Sequence, residues 1–104
     1  GNLVEVKEME LFGFPRVAEL TDVPIISDSL PTFVLWKPDT RLDYLDLYSV
    51  DSKAYLDYHA VPKEDGILEL QPTLSLAPGY YCYIQGDPMA AFLPGWCFQV
   101  SLNQ

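Results

Sequence analysis

The chain has 104 residues, of which 49% are hydrophobic, and 15 acidic against six basic side chains give it a net charge of −9. This length fits one domain and leaves little room for a second, and the apolar content is enough to form a core. No apolar run approaches the roughly 18 residues that a transmembrane helix needs, and clustered Lys and Arg are missing, so we expect no membrane span and no nucleic-acid partner.

The apolar residues in the first segment of the chain follow neither the helical period nor the strand period clearly. Glu5, Glu8 and Glu10 interrupt its apolar residues, and Gly13 and Pro15 end the stretch. We therefore predict an N-terminal arm or edge strand over residues 1–20 and a β-sandwich domain over residues 21–104.

The sequence of the remaining chain predicts a series of short strands. Nine prolines and six glycines leave few stretches for a long helix, and the residues between them favour strands, so we expect no helix beyond a turn or two. Turn signals about every ten residues are typical of an antiparallel sandwich. The predicted strands are Val23–Ser27, Pro31–Trp36, Leu42–Tyr48, Ala54–Val61, Ile67–Gln71, Gly79–Gln85 and Trp96–Leu102.

Alternation along these strands predicts which side chains face the core. The inward set is aliphatic and aromatic: Leu45, Leu47, Leu56, Tyr58, Ala60, Trp96, Phe98, Val100 and Leu102. The outward set mixes acids with Tyr44, Tyr48, Tyr55 and His59. Asp65-Gly66 is a strong turn signal, so we expect Ala54–Val61 and Ile67–Gln71 to form a hairpin.

One short motif carries a family resemblance. Leu76-Ala77-Pro78-Gly79-Tyr80-Tyr81 has the form Leu-x-Pro-Gly-x-Tyr, which resembles the turn entering the penultimate strand of many bacterial immunoglobulin-like sandwiches. The order of Pro31-Thr32-Phe33, Gly66-Ile67, this turn and Trp96-Cys97-Phe98 is also similar to an uncharacterised domain family common in cyanobacteria. The resemblance implies an all-β, immunoglobulin-like antiparallel sandwich of about seven strands, with no activity attached.

The residues that could carry catalysis or bind a metal are few. His59 is the one histidine of the chain, and a dyad with Cys82 or Cys97 is conceivable, but no Gly-x-Ser-x-Gly elbow exists. The acidic residues Asp39, Asp43, Asp46 and Asp51 lack the spacing of a calcium loop. We therefore predict that the protein is not an enzyme and needs no metal or cofactor.

Two features suggest binding. The Gly86–Gly95 loop carries Met89, Phe92 and Leu93 where polar residues are usual, which indicates either a contact with a protein partner or another copy, or a plug for the end of the sandwich. Alternatively, the outward-facing Tyr44, Tyr48, Tyr55 and Tyr80 could stack on a carbohydrate. Of these, a non-catalytic interaction or accessory domain of a bacterial protein is the function we expect.

The two cysteines are predicted to lie opposite each other on adjacent antiparallel strands, on the face away from the core. Pairing Cys82 with Cys97 puts Tyr81 opposite Phe98 and Tyr83 opposite Trp96, so that every aromatic ring falls on one face. A disulfide is feasible at this spacing and is expected in an oxidising compartment. The sequence itself indicates no localisation: it begins with Gly1, typical of tag cleavage or excision, and shows no leader.

Overall fold

A computed structural model describes residues 6, 8–36, 45–86 and 93–102. These residues form an all-β sandwich, as predicted, with two single 3₁₀ turns and no α-helix in the part of the chain described. The strands are β1 (Glu8–Leu11), β2 (Ile25–Ile26), β3 (Phe33–Trp36), β4 (Leu45–Ser49), β5 (Ala54–Leu56), β6 (Tyr58–Pro62), β7 (Ile67–Pro72), β8 (Gly79–Gln85) and β9 (Leu93–Val100).

The strands form two sheets. The larger sheet has the order β1-β9-β8-β4-β5, with β2 also pairing with β9, and the smaller sheet has the order β3-β7-β6. Every pairing is antiparallel except that of β2 with β9. In an immunoglobulin sandwich, strands B, E and D face strands C, F and G. Here β3, β7 and β6 occupy the first set of places and β4, β8 and β9 the second, so the chain has the immunoglobulin-like strand order.

The described residues form nine strands, which corrects the predicted seven. The N-terminal segment adds β1, whose residues alternate between exposed glutamates and the more buried Met9 and Leu11. The predicted strand Ala54–Val61 is two strands, because the chain crosses from the larger sheet to the smaller one at Asp57. The predicted hairpin is confirmed for β6 and β7. Gly66 lies in the connection between them and has a φ of 74°.

The main core lies between the sheets. Its buried members are Ile26, Phe33, Leu35, Leu45, Leu47, Leu68, Leu70, Leu76, Tyr81, Tyr83, Trp96, Phe98 and Val100. Tyr58 ties the sheets together, because its hydroxyl on β6 donates a hydrogen bond to the Leu45 carbonyl on β4. Leu102 was predicted to face this core but is exposed, since β9 ends at Val100.

The Leu-x-Pro-Gly-x-Tyr motif forms the corner that leads into β8. The Tyr81 hydroxyl donates a hydrogen bond of 2.5 Å to the carbonyl of Ala77, four residues earlier. A tyrosine that bonds back to the backbone at the start of this strand is a hallmark of immunoglobulin domains. Gly79 has a φ of 154°, and a Cβ there would lie 2.5 Å from Asp51 Oδ2, so the corner needs glycine.

A second core lies on the other side of the larger sheet. We call residues 8–24 the arm, because they run from β1 across the outer face of this sheet and bury Leu11 and Leu20 against it. The remaining buried members are Tyr48, Val50, Cys82, Ile84, Leu93 and Cys97. The outward face of the sheet is therefore largely covered, whereas alternation alone suggested a solvated face.

Candidate interaction surface

The disulfide lies at the centre of the second core. Cys82 pairs with Cys97, Tyr81 with Phe98 and Tyr83 with Trp96, which is the register predicted for this hairpin. The sulfurs are bonded, and the Cα atoms are 4.0 Å apart. The bond points away from the main core as expected, but the arm buries it, so it is not a surface feature.

This bond also bears on the Cys–His dyad considered from the sequence. Both cysteines of the chain are oxidised, and no thiol is free to act as a nucleophile. His59 is exposed on β6, in the other sheet. The structure therefore does not bring these residues together into a catalytic arrangement.

Three aromatic rings gather where the middle of the arm contacts β4 and β5; we call Phe14, Tyr48 and Tyr55 the aromatic patch. Tyr48 and Tyr55 are directly opposed on β4 and β5, with ring centroids 5.4 Å apart and planes inclined at 61°. The Phe14 ring lies 5.2 Å from that of Tyr48 and 6.4 Å from that of Tyr55. Phe14 is 58% and Tyr55 53% exposed, whereas Tyr48, at 5%, forms the base beneath them.

A small cleft opens beside this patch. Phe14, Tyr55 and the carboxylate of Asp46 form its sides, and the rest of its lining is Gly13, Ile84, Gly86 and Leu93. Its volume is about 30 Å³. Gly86 and Leu93 lie within the Gly86–Gly95 loop segment, so the cleft adjoins the loop that the sequence had marked as unusually apolar.

The cleft combines an apolar lining with one negative charge. Asp46 lies two residues before Tyr48 on the same face of β4, and it is paired across the sheet with Ile84. Partial burial, then the Asp46 carboxylate and Tyr48, raise the pKa of the Tyr55 hydroxyl above its usual 10.0. The Asp46 carboxylate therefore disfavours ionisation of the Tyr55 hydroxyl.

The predicted binding residues have different outcomes. Tyr44, Met89 and Phe92 lie outside the described residues. Leu93 was predicted either to contact a partner or to fold inward, and it is only 6% exposed and belongs to the second core.

The predicted sugar-stacking face is corrected in the same way. Tyr48 was expected on an open face, but it is buried beneath Phe14, and Tyr80 packs partly buried against the second core. Tyr55 is exposed as expected. Phe14 was not among the predicted binding residues, although Phe12-Gly13-Phe14 places two large rings on either side of a glycine.

A second, larger groove of about 460 Å³ lies between β1 and the end of the arm, above Cys97. The carboxylates of Glu8, Glu19 and Asp22 line it together with Met9 and Val23. Glu19 is engaged within the arm, because its Oε1 accepts a hydrogen bond of 3.1 Å from the Arg16 backbone and lies 3.5 Å from the Arg16 guanidinium.

Metal ligands do not cluster in the described part of the chain: no group of three or more His, Cys, Asp or Glu side chains is placed to hold a metal ion there. Asp39 and Asp43 lie outside that part, and Asp51 instead accepts a hydrogen bond of 2.6 Å from the Tyr80 backbone. Nor do the described residues include a helix long and apolar enough to cross a membrane.

No protein-family model, no curated protein and no solved structure matches this chain.

Proposed function

We propose that the chain is a non-catalytic interaction domain of a bacterial protein and that it binds a protein partner through the aromatic patch. The observation that carries this proposal is the exposure of Phe14 and Tyr55 side by side, at 58% and 53%. Large apolar side chains that are exposed singly need no explanation, but adjacent exposed rings are typical of binding surfaces, where aromatic residues are enriched.

The position of the patch supports the same proposal. It lies beside Gly86 and Leu93, near the end of the sandwich where the loop between β8 and β9 begins and ends. Loops held at the end of a rigid sandwich are frequent sites of binding in immunoglobulin-like domains. The disulfide between β8 and β9 and the second core hold this region in place.

Carbohydrate binding has less support. A sugar-binding platform needs flat rings that lie exposed in one plane, and the Tyr48 and Tyr55 planes are inclined at 61°, with Tyr48 buried. We therefore propose a polypeptide partner, which can fill an angular surface with side chains.

A selection of peptides from a random display library on the disulfide-intact domain tests this proposal. We expect enriched peptides whose binding weakens at least about tenfold in Phe14→Ser and in Tyr55→Ser, the size of effect typical of an interface hot spot. Leu74→Ser is the matched control, because Leu74 is 77% exposed in the β7–β8 connection. Failure to enrich any peptide, or ligands that bind all four proteins equally, would overturn the proposal.

A further inference from the structure

We infer that the cleft formed by Phe14, Tyr55 and Asp46 binds a cationic side chain, lysine or arginine, presented by the partner protein. This inference rests on the proposed function and adds the chemistry that the partner must display. Three observations carry it: the arrangement of the rings, the position of the carboxylate and the size of the cleft.

The rings form an angular corner. The Phe14 and Tyr55 planes are inclined at 59° with centroids 6.4 Å apart, and Tyr48 closes the base of the corner. The faces of aromatic rings carry negative electrostatic potential, so a cation within about 6 Å of a ring centroid is attracted to it. Because the centroids are 6.4 Å apart, a cation between Phe14 and Tyr55 can lie within this distance of both rings.

The carboxylate makes the cleft selective for charge. Asp46 is exposed and lines the cleft, whose apolar lining includes Ile84 and Leu93. A neutral apolar side chain would gain only contact with the rings and the lining. An ammonium or guanidinium group gains these and a charge-assisted hydrogen bond to Asp46.

The size of the cleft and the electrostatic field of the whole protein both suit a cationic side chain. The space of about 30 Å³ is larger than the roughly 10–15 Å³ that one water molecule occupies. It therefore admits a head group of a few atoms and not a whole small molecule. The net charge of −9 adds an attractive field for a basic partner.

The test uses three small probes on the full chain: the α-N-acetylated amides of arginine, lysine and citrulline. Citrulline has the shape of arginine without its charge. We expect saturable NMR shifts at Tyr55 and Gly86 with the two cationic probes, and binding of the citrulline probe about tenfold weaker or undetectable. Equal binding of the arginine and citrulline probes would overturn the inference.

Matched variants separate the cleft from general attraction to an acidic protein. Asp46→Asn and Glu69→Gln each remove one negative charge, but Glu69 lies on the smaller sheet between Val34 and Val61. We expect Asp46→Asn to weaken cation binding about tenfold, Tyr55→Leu and Phe14→Leu to weaken it similarly, and Glu69→Gln to leave it unchanged. Equal losses in Asp46→Asn and Glu69→Gln would overturn the inference.

The two proposals can fail separately. Selected peptides that need Phe14 and Tyr55 but neither a basic residue nor Asp46 would overturn the cation inference and leave the interaction function standing. Cation binding that depends on Asp46, without any peptide ligand, would support the cation site and overturn the interaction function.

Discussion

Tyr81 and Tyr83 lie two residues apart on β8, and both face the main core, but their hydroxyl groups differ in hydrogen bonding. The Tyr81 hydroxyl donates to the Ala77 carbonyl. The Tyr83 hydroxyl is buried and finds no hydrogen-bond partner among the described residues. Because burial without a partner costs free energy, the same chemical change should have opposite effects at the two positions.

We therefore predict that Tyr83→Phe raises the free energy of unfolding by about 1 kcal/mol and that Tyr81→Phe lowers it by about 1 kcal/mol. Both variants keep the ring, so the packing among Phe33, Phe98 and the tyrosines is preserved. Urea unfolding followed by tryptophan fluorescence measures both values. Destabilisation by Tyr83→Phe would show that this hydroxyl has a partner.

We predict that replacing Gly79, at the corner that leads into β8, lowers the free energy of unfolding strongly. Gly79→Ala introduces a strained φ and places a Cβ 2.5 Å from Asp51 Oδ2, and Asp51 holds the Tyr80 backbone. Gly13→Ala is the control, since Gly13 has a φ of 77° but open space around it. We expect Gly13→Ala to cost about 1 kcal/mol and Gly79→Ala about 1–3 kcal/mol more in urea unfolding. Equal costs would show that Asp51 moves aside freely.

At the scale of elements, the β8–β9 hairpin is stabilised both by its disulfide and by the arm that covers it. Cys82 and Cys97 are 15 residues apart, and the arm buries the bond between them. We predict that Cys82→Ala/Cys97→Ala loses about 3 kcal/mol, the value expected for closing a loop of this length. The measurement is urea unfolding of the double variant against the oxidised protein. A loss below about 1 kcal/mol would contradict the prediction.

The register of this hairpin could be predicted to the residue, although its second strand runs from Leu93 to Val100 and not from Trp96 to Leu102 as expected. The division between β5 and β6 could not be predicted. A slip of one residue would put Tyr81 and Tyr83 on one face and Trp96 and Phe98 on the other, and the structure has the predicted register that keeps all four together. Across Asp57, by contrast, the alternation continues unchanged, because residues on both sides of it face the same core from different sheets. Alternation of apolar and polar residues predicts whether a side chain faces the core. It does not predict the sheet to which the strand belongs.

The candidate site was predictable in part for a related reason. Tyr55 follows from outward alternation, and it is exposed as expected. The contact of Phe14 with Tyr48 joins residues far apart in sequence, and strand alternation carries no information about which segment covers an outer face. For this reason the burial of Tyr48, and the role assigned to Asp46, depended on the three-dimensional structure.

At the scale of the whole molecule, the tyrosines couple stability to alkaline pH. Burial is the main cause that raises the pKa of Tyr55, Tyr58, Tyr81 and Tyr83 above the usual 10.0, most strongly for Tyr83. The folded state therefore holds these protons more tightly than the unfolded state. By linkage, this contribution to stability is complete below pH 10 and is lost as the pH rises toward the folded pKa values.

We predict that the urea midpoint stays level up to about pH 9.5 as far as the tyrosines are concerned and falls above pH 10. Tyr83→Phe should make the alkaline fall shallower, because it removes the most strongly shifted group. Tyr80→Phe is the control, as it removes a tyrosine outside the main core. An identical alkaline decline in all three proteins would contradict the prediction.

Among the described residues, the first strand is paired with the last. β1 lies along the first half of β9, from Glu8 opposite Trp96 to Leu11 opposite Leu93, and β2 lies along its end. During synthesis the arm therefore emerges from the ribosome long before β9 does. Its apolar residues stay uncovered until β9 has been made. Pairing of β1 with β9 makes completion of the larger sheet a late, non-local step, and it makes a nascent chain that stops short of β9 prone to association through Leu11 and Leu20.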